Sequence, residues 1–88
     1  MVQDKKEEKL KDVDFEDCQI IVYNDDVTPI DMVIMAFMMI LGHTFEQAEQ
    51  LTMLIHFKGK ASVKKGTFEV LQPLCENLIN SGLNATIE

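Results

Sequence analysis

Apolar and polar positions alternate along this chain in two rhythms, and the changes between them mark the elements. The stretch from Phe15 to Tyr23 ends in CQIIVY, a β-branched and aromatic run that reads as a buried strand. Asn24-Asp25-Asp26 then breaks it. Thr28-Pro29-Ile30-Asp31 combines a capping hydroxyl, a proline at the first helical position and an acid in the first turn, which together predict a helix start. That helix is expected to run to about Leu41, where Gly42 takes the left-handed position after the last turn. Thr44 with Gln47 matches a capping box and opens a second helix through Ala48, Leu51 and Ile55, closing near Gly59. The two helices form a tight pair joined by Gly42-His43.

Beyond Gly59 the pattern shortens. Lys60 to Lys65 predicts a short edge strand whose lysines discourage edge-to-edge aggregation. Thr67 is placed to cap a third helix with Val70, Leu71, Leu74, Cys75 and Leu78 on its inner face, ending at Ser81-Gly82. Pro73 removes one helical hydrogen bond and costs about 3 kcal/mol in a helix interior, so this helix is expected either to kink or to start nearer residue 72. Leu83 to Ile87 reads as a closing strand. The order is strand, helix pair, strand, helix, strand. It predicts an α+β fold with a small sheet covered by helices on one face. Residues 1–14 mix lysines and acids with few apolar anchors and read as a flexible charged arm, leaving 15–88 as the folded domain.

Composition narrows what such a domain can do. A chain of 88 residues supports one modest core. Fifteen acidic against eight basic residues give a net charge of -7, which repels nucleic-acid phosphates and anionic membranes alike. The longest apolar run, Met32 to Leu41, is ten residues against the about 20 that a membrane span needs. Met1 to Asp14 is charged rather than apolar, so no signal peptide is expected. Cys18 and Cys75 have no CxxC spacing and are too few for a stapled secreted scaffold, so they read as buried free thiols in a reducing cytoplasm.

Candidate chemistry is sparse. The two histidines, His43 and His56, stand thirteen residues apart with no ligand partner at i+4, which argues against a metal site. No nucleophile elbow, phosphate-binding glycine loop or zinc-protease motif is present, and no cofactor is expected. Cys75 falls on the apolar face of its helix, where a thiol is usually inert. The chain therefore reads as a binding module and not an enzyme. Two features stand out. Asn24-Asp25-Asp26 follows a buried strand and adjoins a helix start, where such residues shape turns as readily as they bind ligands. His56, near the end of the second helix, is either a helix-end cation or part of a site.

Taken together, Asn24-Asp25-Asp26-Val27-Thr28-Pro29, the apolar helix after it, and Met53-Leu54-Ile55-His56-Phe57-Lys58-Gly59-Lys60-Ala61 resemble the ClpS adaptor family. The resemblance is carried by Cys18 to Ala61 and only loosely by the last third. It implies a small three-stranded antiparallel sheet packed with three helices. It also implies a cytoplasmic adaptor that binds N-degron substrates, proteins exposing a bulky hydrophobic first residue, and delivers them to the Hsp100-type AAA+ ATPase of the Clp protease, ClpA-like or ClpC-like. By the same resemblance, Asn24, Asp25 and His56 contact the substrate α-amino group, and Thr28, Ile30, Val33, Thr52 and Ile55 wall the side-chain pocket.

That assignment is chemically coherent, because a protonated α-amino group presents three donors that need acceptors. An acetylated or internal residue would leave the acceptors unpaired, at about 1–3 kcal/mol for each buried group. Ile30 and Thr52 stand where methionine is common in the family. The alternative is a diverged domain of the same fold that has lost N-degron binding and works through the methionines of the first helix. Met35, Met38 and Met39 lie opposite the face formed by Val33, Phe37, Ile40 and Leu41, so they are either covered by another element or form an adaptable surface for a partner or a second copy.

Overall fold

A computed structural model describes residues 17–88. The arm expected over 1–14 and the proposed start at Phe15 lie outside the described residues. Six elements follow in order: β1 (Cys18–Tyr23), α1 (Ile30–Leu41), α2 (Phe45–Lys58), β2 (Lys60–Gly66), α3 (Phe68–Asn80) and β3 (Asn84–Ile87). The strands form one antiparallel sheet in the order β2-β1-β3. β1 is central, which is why Ile20, Ile21 and Val22 are all buried. The expected α+β architecture of three strands and three helices is the one observed.

Ile20 and Val22 join the core with Phe37 from α1, Ala48 and Ile55 from α2, and Leu71 and Leu78 from α3. The largest fully buried side chains are Phe37, Ile20, Leu71 and Leu78, each contributing about 1.5–3 kcal/mol of transfer free energy. Between Ile20 and Ile21 the pairing shifts from Lys64 to Ser62, so Val63 is an extra residue in β2. Its carbonyl accepts a 2.8 Å hydrogen bond from His43 Nε2, which places the proton on that nitrogen. His43 therefore ties the loop between the helices to the sheet irregularity.

Local hydrogen bonding accounts for most helix ends. Gly42 is left-handed (φ 76) and its N–H reaches Met38 O, while His43 N–H donates to Phe37 O at 3.3 Å. Thr44 and Gln47 form the reciprocal capping box. Gly59 is left-handed (φ 93) with its N–H on Ile55 O, and the Thr67 hydroxyl accepts from Val70 N–H at 3.2 Å.

Three expectations need correction. Thr28 does not cap α1: the N-cap is Pro29, with no side-chain cap, because the hydroxyl of Thr28 is drawn towards the carboxylate of Asp25 instead. Next, α3 starts at Phe68 and remains helical through Pro73, so the late start near residue 72 does not occur. The cap at Thr67 and the buried anchors Leu71, Cys75 and Leu78 on either side of the proline hold the early turn. Lastly, Val70 is exposed rather than on the inner face of α3, while Leu74 packs against the core from a half-buried position. Cys75 is buried as expected, and burial with the nearby Glu76 charge pushes its thiol upward in pKa, away from the reactive thiolate. Cys18 is only half-buried, as the first residue of its strand.

Candidate functional site

The end of the central strand and the end of α2 meet because the chain pairs them. Tyr23, the last residue of β1, lies opposite Lys60, the first of β2, and Asn24 N–H donates to Gly59 O at 2.8 Å. Gly59 ends α2, and His56 stands three residues before it. The polar segment after β1 is thereby brought beside the last turn of α2, although the two are about thirty residues apart in sequence.

Asp25 organises that segment. Its Oδ1 accepts from Val27 N–H (2.9 Å) and Thr28 N–H (2.7 Å), an Asx-type turn. Thr28 Oγ1 lies 3.2 Å from Asp25 Oδ2 and 3.4 Å from the Gly82 carbonyl, so its single proton serves one or the other. The contact to Gly82 joins this turn to the α3–β3 connection. The amides of Thr28 and then Val27 hold the Asp25 carboxyl below its ordinary pKa, against a smaller opposing effect of desolvation. Asp25 is therefore ionised at neutral pH. A carboxylate has about four acceptor positions. With Oδ1 taking two donors and Oδ2 at most one, Oδ2 keeps acceptor capacity.

Behind this turn lies a cavity of about 290 Å³. Asn24, Asp25, Thr28, Ile30, Val33, Thr52, Ile55 and His56 all line it, so the structure brings together every residue singled out as a candidate. Its volume is at the lower limit of the roughly 300–1,000 Å³ usual for small-molecule sites, a size suited to one side chain with its attached polar group. Val33 is half-buried, while Ile55 is buried and belongs to the core at the same time as it lines the cavity. Thr52 is buried too, and its hydroxyl donates to Ala48 O at 2.7 Å. That proton is already engaged within the helix, so Thr52 can line an apolar cavity without an unsatisfied donor. Ile30 is 45% exposed and stands at the rim.

Sequence reasoning missed Leu83 and Tyr23, which also line the cavity. Leu83 is buried, and the first apolar residue after the Ser81-Gly82 stop was the available signal. Tyr23 is held by donation of its hydroxyl to Glu88. His56 packs edge-to-face on Phe57 with ring centroids 5.4 Å apart. Among the described residues, no cluster of three or more His, Cys, Asp or Glu is placed to hold a metal ion. No helix among them is long and apolar enough to cross a membrane.

A small α+β domain with a polar-rimmed, apolar-walled cavity between a strand end and a helix end has the layout of a binding domain. The profile of the family described as ATP-dependent Clp protease adaptor protein ClpS matches residues 14–86, and the chain belongs to that family. The match continues through the last third, beyond the Cys18 to Ala61 region that carried the resemblance. The adapter protein ClpS of Treponema denticola is 30% identical over 74 residues, covering 84% of this chain and 73% of the relative. That of Erwinia tasmaniensis is 33% identical over 72 residues (82% and 66%), and that of Edwardsiella ictaluri 38% over 53 residues (60% and 50%). The chain thus spans between half and three quarters of the length of these relatives. Agrobacterium tumefaciens ClpS2 bound to L-phenylalaninamide has the same fold, with a TM-score of 0.76 at 20% identity over 84% of this chain and 96% of that one.

Proposed function

We propose that the cavity binds the free N-terminal residue of N-degron substrates, and that the chain delivers them to the Hsp100 unfoldase of the Clp protease in the cytoplasm. The observation that carries this reading is the convergence of Asn24, Asp25 and His56 with the wall of Thr28, Ile30, Val33, Thr52 and Ile55 in a single cavity. In this reading the substrate α-ammonium group donates to the Asn24 side-chain oxygen, the remaining acceptor position of Asp25 Oδ2 and a ring nitrogen of His56. The negative charge of Asp25 favours an ammonium over a neutral acetylated terminus. The first side chain then leaves water for the apolar wall. The ligand of the Agrobacterium relative, a phenylalanine derivative with a free amino group and an amidated carboxyl, has the chemistry such a cavity would accept.

The test is fluorescence anisotropy with a labelled peptide that begins with Phe or Leu, beside its N-acetylated twin. Micromolar or tighter binding abolished by acetylation is the expected result. Because Asp25→Ala also removes the acceptor for two turn amides, Asp25→Asn is the sharper variant: it keeps an oxygen for the turn and removes the charge. Equal or absent binding by both peptides would refute the amino-group clamp and leave a diverged interaction domain of the same fold.

A further inference from the structure

Thr52, in the middle of α2, is the one polar side chain buried among the described residues, at 4% exposure. It lines the cavity together with the apolar Val33, Ile55 and Leu83. A valine has nearly the same shape and would line that wall with no polar atom to desolvate. The hydroxyl is therefore an addition that packing alone does not require. Its proton goes to Ala48 O at 2.7 Å, so the group has no donor left to offer. A hydroxyl oxygen also carries two acceptor lone pairs, and the bond to Ala48 uses neither. The cavity thus holds acceptor capacity on a wall that is otherwise apolar.

The position of Thr52 indicates which ligand group would use it. Asn24 and Asp25 belong to the turn after β1, and His56 to the last turn of α2. Thr52 stands four residues before His56, so the two share one face of α2 about 6 Å apart along its axis. With a substrate amino group held by Asn24, Asp25 and His56, that separation is comparable to the length of a tyrosine side chain from α-carbon to hydroxyl. The hydroxyl of a first-position tyrosine would donate to Thr52 Oγ1, whereas phenylalanine brings no donor. On a fully apolar wall the tyrosine hydroxyl would instead be an unsatisfied buried group, and phenylalanine would be the better ligand.

We propose that Thr52 is a specificity-determining residue that makes this chain prefer tyrosine over phenylalanine as the first residue of its substrate, an inference that rests on the amino-group clamp proposed above. The test is fluorescence anisotropy of the full chain with three labelled peptides that differ only in the first residue: Tyr, Phe, and 4-fluorophenylalanine, which is close to tyrosine in size but has no donor. The Tyr peptide is expected to bind about fivefold or more tighter than the other two. Thr52→Val should reverse that order while holding the affinity for the Phe peptide within about twofold, which also shows that the variant is folded. Thr52→Ser keeps the hydroxyl and should keep the preference for tyrosine. Equal binding of the three peptides by the wild-type chain would overturn the proposal and leave the clamp standing. A tyrosine preference that survives Thr52→Val would overturn it by placing the acceptor on another residue. Loss of the Tyr and Phe peptides alike in Thr52→Val would overturn it by making Thr52 a structural wall residue. Binding of none of the peptides by the wild-type chain would refute the clamp itself, and the preference with it.

Discussion

The closed core and the open cavity draw on the same helices and handle them differently. At the core, Phe37, Ile20, Leu71 and Leu78 have no solvent exposure left, so every apolar surface there already has its partner. One turn and more towards the N-terminus of α1, Val33 and Ile30 pass from half-buried to exposed, and the neighbouring turn keeps acceptor capacity on Asp25. The helix starts show the same division. α2 begins with a complete capping box, whereas α1 begins beside the cavity without a side-chain cap because Asp25 and Thr28 are bonded to each other. α1 thus lacks a side-chain cap where its first residue borders the cavity.

The largest effect separating these regions should be in stability. Phe37→Ala is expected to cost about 3–5 kcal/mol in urea unfolding, since it deletes a fully buried ring. Ile30→Ala should cost less than about 1 kcal/mol and yet weaken binding of a Phe-initial peptide. Similar stability losses for the two would erase the distinction between core and rim.

His56→Ala comes next. It should reduce affinity for that peptide about tenfold or more, the value of a hydrogen bond to a charged group, while the urea midpoint stays nearly constant because the residue is exposed. A drop in midpoint with unchanged affinity would make His56 a structural residue.

Thr44→Ala should cost about 1 kcal/mol through loss of the N-cap, and Thr28→Val should cost less because Thr28 caps nothing. Thermal unfolding of the two variants decides it, and the reverse order would restore Thr28 as a cap.

The smallest effect concerns pH. The Asp25 carboxyl is held below its ordinary value of 3.8, so its contribution to folding is fully present above that pH. It is lost as the pH falls through the lower folded value. Asp25→Asn should flatten the acid limb of the stability profile below about pH 4, measured by urea midpoints; an unchanged limb would mean the turn bonds do not couple to folding.

Much of this architecture was legible in the residues because it is settled within a turn or two of chain. Gly42 and Gly59 stop helices at positive φ, Thr44 and Thr67 accept from amides three residues on, and the CQIIVY run is buried wherever a sheet exists to receive it. Local pattern misled at Thr28, where a carboxylate three residues earlier competed for the same hydroxyl, and at Pro73, where anchors on both sides held a helix through the missing bond. Val70 shares a helical stripe with Leu71 on paper but faces away from the sheet that Leu71 meets.

The sequence by itself determined the elements, their ends and the chemistry of the candidate residues, since these depend on bonds between near neighbours. Only the tertiary structure decided that Asn24 and His56 share a cavity, that Leu83 closes it, and that the methionine stripe remains exposed. Those outcomes depend on which strand pairs with which and on what lies beyond each helix face, distances that no local hydrogen bond encodes.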